Sequence, residues 1–215
     1  MDLASDVIRE YVIRLNAEPA AFDYKGALNE MSKVTLKSIT GEDVERTIEP
    51  FLYRWGWMWR VLERDEYIGW QADLAGQIQS KYASLDDLKT KELEAVDLTK
   101  HEQEIKGCYE SFQEAVGSIA AAKALHFICP TLLPPWDRKI AKAAKRERSQ
   151  GTQTASKTKE YSAEDYFLFV GQVQDFIRRR VDVISELASR YHKSKVKIAD
   201  ECLWSATQRP LCLFF

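Results

Sequence analysis

Three side chains in this chain have the type and spacing to do chemistry. Asp137 follows the run Pro134-Pro135-Trp136 and stands where a basic helix must begin. Its carboxylate would face unpaired backbone N–H groups and the positive end of the helix dipole. A fixed acid beside a cationic helix is the main functional clue in the chain. Lys123 and His126 stand three apart on one predicted helix and are therefore neighbours. Lys123 is a candidate nucleophile, and His126 is a candidate acid or base because imidazole ordinarily titrates near neutral pH. Each also has a purely structural role open to it. Asp is among the best N-caps, a lysine on an apolar helix can extend its amine to solvent, and a histidine between Leu125 and Phe127 can be a hydrogen-bonded core residue.

A second group of residues suits binding. Arg138, Lys139, Lys142, Lys145 and Arg146 put five cations on the helix that Asp137 opens. Tyr53, Trp55, Trp57 and Trp59 interleave with Arg54, Arg60 and Arg64, a mixture that can stack on bases and hold phosphates. Trp55 and Trp59 fall on an apolar stripe and belong in the core, which leaves Trp57 and Tyr53 as the aromatic surface candidates, with Arg60 beside them. Trp136 either stacks on a ligand or plugs the core. The net charge of −2 is the sum of unlike halves: residues 1–122 carry 14 Lys/Arg against 23 Asp/Glu, and residues 123–197 carry 16 against 8. A basic face opposite an acidic one suits a polyanionic partner, duplex DNA foremost. Mutual attraction of the two halves is the alternative account of the split.

The elements that must position these groups read as helices throughout. Leu3 to Leu15 forms an amphipathic first helix, Tyr24 to Ser32 a short second one, and Val44 to Leu62 a third that Pro50 either kinks or restarts. Trp70, Leu74, Ile78 and Tyr82 mark another. Thr40 with Asp43, Ser84 with Asp87, Thr99 with Glu102 and Ser162 with Asp165 each resemble a capping box. Ile105 to Val116 leads into a break at Gly117, so Val116-Gly117-Ser118 predicts an αα-hairpin. Its second helix, Ser118 to Phe127, is rich in alanine and thin enough to lie inside. The three prolines 130, 134 and 135 then impose an extended linker. Tyr166 to Tyr191 reads as one long helix, Lys195 to Ala206 as the last, and Arg-Pro-Leu-Cys-Leu-Phe-Phe at the end as an apolar tail docked on the body. The expectation is an all-α, compact multi-helix bundle forming a single domain over 1–215. Two lobes, 1–66 with 160–215 and 67–146, are a compatible subdivision, with a mobile loop at 147–160.

Composition narrows the classes. No run of eighteen apolar residues occurs, so no membrane partner is expected. Cys108, Cys129, Cys202 and Cys212 form no C-x-x-C pair and histidine occurs three times, so no metal and no cofactor are expected, and the chain reads as intracellular with free thiols.

Residues 115–142 resemble the core of the helix-hairpin-helix DNA glycosylase superfamily. Val116-Gly117 matches the hairpin turn, and Pro134-Pro135-Trp136-Asp137 matches the proline linker and aspartate, at a similar separation. The resemblance implies a helical body that bends DNA, hairpin amides near Gly117 and Ser118 on backbone phosphate, and Asp137 acting on a flipped base or its sugar, with Trp136 or Trp57 stacking on it. The sequence departs from the family pattern in a shortened hairpin, in Ser118 and Ile119 where bifunctional members carry a lysine, and in lacking the iron-sulfur cysteines. The expected activity is accordingly monofunctional base excision. The alternative is a non-enzymatic all-α module whose basic helix binds an acidic partner or nucleic acid. An Asp137–His126 acid/base pair acting on a small molecule is a third reading.

Overall fold

The computed structural model describes residues 4–17, 23–54, 62–149 and 161–208, with the backbone alone at 66, 144–149 and 208. Among them the chain is all-α, with short 3-10 turns and no strand. The helices are α1 (Ser5–Ala17), α2 (Tyr24–Ser32), α3 (Gly41–Arg54), α4 (Trp70–Ser80), α5 (Tyr82–Leu88), α6 (Glu102–Val116), α7 (Ser118–Ile128), α8 (Arg138–Ser149), α9 (Ala163–Arg179), α10 (Val181–Tyr191) and α11 (Lys195–Gln208).

Local signals place most of these. At the start of α3 the Thr40 N–H donates to Asp43 Oδ2 at 3.0 Å and the Asp43 N–H donates back to Thr40 Oγ1 at 3.2 Å. Ser162 and Asp165 make the same reciprocal pair ahead of α9. Both satisfy N–H groups that the first helical turn leaves open. Two of the expected caps are absent. Ser84 lies inside α5, which starts two residues earlier at Tyr82, and Thr99 donates to the Asp97 side chain within a 3-10 turn, Leu98–His101, that runs straight into α6. Aspartate accepting from the residue two ahead is the local turn that competes with a helix cap.

The long stripe from Tyr166 to Tyr191 also divides, at Arg180, whose φ of −131° leaves the helical range. No proline or glycine marks the break. Just before it, Arg178 donates from Nε to the Glu94 carbonyl at 2.8 Å and from Nη2 to the Val96 carbonyl at 3.2 Å, which anchors the end of α9 to a distant segment. Basic helix α8 runs on to Ser149, into the stretch read as a loop. Residues 150–160, Trp57, Arg60 and the apolar tail lie outside the described residues.

One hydrophobic cluster runs from Ile8 in α1 to Leu203 in α11. α7 is at its centre, against α6, α3 and α2, and every side chain from Ala120 to Ile128 is buried. Small alanines allow this because neighbouring backbones can approach without cavities. α1 lies across α10 and α11, and α8 packs on α11 and α9.

Candidate functional site

The site begins at the α6–α7 hairpin. Gly117 joins the two helices at φ 75°, ψ 165°, a region open essentially to glycine alone, and a Cβ there would come 2.8 Å from the Tyr67 hydroxyl. Its own N–H donates to the Gln113 carbonyl at 2.9 Å, and the Ser118 hydroxyl accepts from Gln113 Nε2 at 2.6 Å. The Gly117 amide and the Ser118 side chain are thus engaged within the hairpin.

Lys123 projects from α7 into the interior with 5% of its surface exposed, rather than extending to solvent. Burial lowers its pKa from the ordinary lysine value to about 8, the charges of Asp137 and Asp200 oppose that shift, and the charge of Lys197 adds to it. At neutral pH the amine is therefore still charged but near its titration.

His126, one turn on, is fully buried. Its Nδ1 lies 2.8 Å from the Leu133 carbonyl oxygen, which can only accept, so Nδ1 carries the proton. Nε2 must then accept, and it does so from the Tyr24 hydroxyl at 2.7 Å. Burial first, and the Lys197 charge second, push the imidazole down to about 3, so it is neutral at physiological pH. The expectation of a histidine titrating near neutrality is corrected here. Desolvation opposes the charged form, and both ring nitrogens already have partners.

What His126 does instead is hold the proline linker. Its bond to Leu133, together with the Tyr166 hydroxyl donating to the Pro134 carbonyl at 3.0 Å, clamps the chain immediately before Asp137. Trp136 completes the clamp. It is 2% exposed, with its ring 5.4 Å from Tyr166, 5.5 Å from Phe169, 5.7 Å from Tyr161 and 6.1 Å from Tyr109. Trp136 fills the core, and its ring is closed to a stacked base in this conformation.

The linker delivers Asp137 to the head of α8. Its Oδ1 accepts from the N–H groups of Lys139 at 2.7 Å and Ile140 at 2.8 Å, the geometry of an N-cap. The residue is partly exposed, and Arg138, Lys139 and Lys142 beside it are exposed. Asp137 therefore sits at a boundary, with a cationic surface outward and the Lys123 amine inward.

α11 supplies groups that sequence reasoning missed. Lys197 donates to Asp200 Oδ2 at 2.7 Å and lies 5.8 Å from the Tyr24 ring centre. Burial raises the Asp200 carboxyl above its ordinary value, with Lys197 opposing. Beside them Glu201 accepts from Lys193 at 2.6 Å and from Asn16 Nδ2 at 3.0 Å, which ties α11 to α1. The only local signal was the spacing of Lys197, Asp200 and Glu201 on one helix. Nothing in the sequence joined that helix to Tyr24 or Lys123.

Structure thus brings Asp137, Lys123 and the basic residues of α8 to one region, and puts His126 and Trp136 beneath it as supports. Among the described residues no helix is long and apolar enough to cross a membrane. Compared with protein-family models, with curated proteins and with solved structures, the chain has no match.

Proposed function

We propose that the chain is a DNA-binding protein of the base-excision type, a monofunctional glycosylase acting through Asp137. The observation that carries this reading is a partly exposed carboxylate, fixed by a clamped linker at the head of a cationic helix, with a buried lysine amine behind it. In that role Arg138, Lys139 and Lys142 hold backbone phosphate. Asp137 stabilises positive charge developing on the deoxyribose as the glycosidic bond breaks, or orients the attacking water. Lys123, buried on the inner side of Asp137, is the amine that would meet the sugar. The test is release of modified bases from a panel of duplexes, with Asp137→Asn as the variant, because Asn keeps the cap and removes the charge. Loss of release with DNA affinity retained supports the reading. No release from any lesion by the wild-type chain overturns it. Borohydride trapping on abasic duplex separates Lys123 as nucleophile, which gives a covalent adduct lost in Lys123→Met, from Lys123 as a cation, which gives none.

A second reading rests on the cap itself. Asp137 Oδ1 already bonds two amides of its own helix, which is sufficient reason for an aspartate there. On this reading α8 is a cationic contact surface for an acidic partner and the chain performs no catalysis. Salt-sensitive self-association in sedimentation, without affinity for DNA, distinguishes it.

A further inference from the structure

Away from this region, Asp87 in the last turn of α5 meets His101 and Glu104, which stand three residues apart where the 3-10 turn runs into α6. We propose that they bind one divalent transition-metal ion, with Zn2+ the best fit. Each offers one donor atom, and all of these lie within 4.8 Å of one another. Glu104 Oε2 is 2.8 Å and Asp87 Oδ2 is 3.8 Å from the same His101 Nδ1. That nitrogen carries at most one hydrogen, and Glu104 at 2.8 Å is placed to take it. Asp87 Oδ2 therefore faces the imidazole without a hydrogen bond from it, and two carboxylates flank one ring nitrogen. A dication at the centre would engage both oxygens and the nitrogen together. The proton moves to Nε2, the Nδ1 lone pair turns to the metal, and the carboxylates supply two oxygens.

Distances favour a small ion. Tetrahedral zinc with bonds of about 2.0–2.1 Å separates adjacent donors by about 3.3–3.4 Å. Nδ1 and Oε2 need to open by roughly half an ångström and Nδ1 and Oδ2 to close by about as much. Side-chain rotation supplies both, since Asp87 and Glu104 are 50% and 42% exposed while His101, at 18%, is held more firmly. Lys91 donates to the other Asp87 oxygen at 2.8 Å and so orients the carboxylate, as outer partners of metal ligands do.

The backbone between the ligands is also pinned. The Thr131 carbonyl accepts from the Leu93 N–H at 3.0 Å, Thr131 Oγ1 donates to the Lys91 carbonyl at 2.8 Å, and Gln174 donates to the carbonyls of Leu93 and Val96. The main chain that spaces Asp87 from His101 is thereby fixed, and binding asks only for side-chain rotation. One imidazole among two carboxylates selects Zn2+ or Mn2+ over Mg2+, which prefers oxygen alone.

The experiment is calorimetric titration of the chelator-stripped full chain with ZnCl2, MnCl2 and MgCl2, alongside His101→Ala and Glu104→Gln. The expected result is one Zn2+ per chain, weakened at least tenfold in each variant, with an upward zinc-induced shift in melting temperature that both variants lose. Circular dichroism of each variant establishes that its helices are intact. Absence of saturable binding, binding unchanged in both variants, or Mg2+ bound as tightly as Zn2+ overturns the assignment.

Discussion

α7 and α8 are separated by the proline linker and each carries lysines, yet the two helices impose opposite physics on them. In α7 Lys123 is enclosed, and burial brings its proton to the edge of release. In α8 Lys139 and Lys142 stand at the surface, where water screens them and their use is long-range attraction. Desolvation acts on one set of charges and solvent on the other, so a single charge pattern along the sequence separates into two environments at Asp137. His126 and Trp136 belong wholly to the enclosed side.

The largest effect that would break this division concerns Trp136. As a core residue against Tyr109, Tyr166 and Phe169, its replacement by Ala should cost about 3–5 kcal/mol of unfolding free energy in urea titration. A loss within about 0.5 kcal/mol, the range for surface positions, would put it on the exposed side instead.

His126 comes next. Its folded pKa of about 3 lies below the ordinary imidazole value of 6.5, so the unfolded chain binds more protons between those limits. Its contribution is present in full above pH 6.5 and is lost as pH falls towards 3, with a slope of at most about 1.4 kcal/mol per pH unit. Stability curves of wild type and His126→Gln should therefore converge on acidification. Parallel curves would refute the buried neutral imidazole.

Lys123 gives the mirror case. The folded amine loses its proton near pH 8 and the unfolded one near 10.5, so stability relative to Lys123→Met should rise between those values and be lowest below 8. The amplitude is on the order of 3 kcal/mol. A flat difference across that window would mean that the amine is not desolvated.

Asp137 should respond more weakly. Asp137→Ala removes the cap of α8 and costs about 1 kcal/mol, whereas Asp137→Asn retains it and costs a few tenths at most. Equal losses in the two variants would show that charge rather than capping holds the helix.

The smallest stability effect is expected for the triple replacement of Arg138, Lys139 and Lys142 by Ala, about 0.5 kcal/mol or less per site in thermal melts. If α8 meets DNA, the same variant should reduce the slope of log affinity against log salt by roughly 0.9 for each phosphate that is no longer neutralised. An unchanged slope would remove α8 from the interface.

Helix positions were legible where apolar spacing repeated, as in α2, α4 and α7, and where a capping box was complete, as at Thr40 and Ser162. They were not legible at Arg180, where the apolar stripe continues without a proline or glycine and the end of α9 is tied to the Glu94 and Val96 carbonyls, remote in sequence. The site was half legible. Asp137 and the exposed cations of α8 could be placed from the proline run and local composition. The neutrality of His126 could not, since it depends on burial by distant segments and on the charge of Lys197, neither of which is local to α7.

By itself the sequence determined the helical class, the thin inner helix, the hairpin at Gly117 and the start of a cationic helix at Asp137, because each follows from interactions within a few residues. Only the tertiary structure decided which charges are enclosed. Enclosure depends on what packs above a side chain, and here Tyr24, Lys197 and Asp200 reach Lys123 and His126 from distant segments. Desolvation is a property of that assembled neighbourhood, and no local pattern carries it.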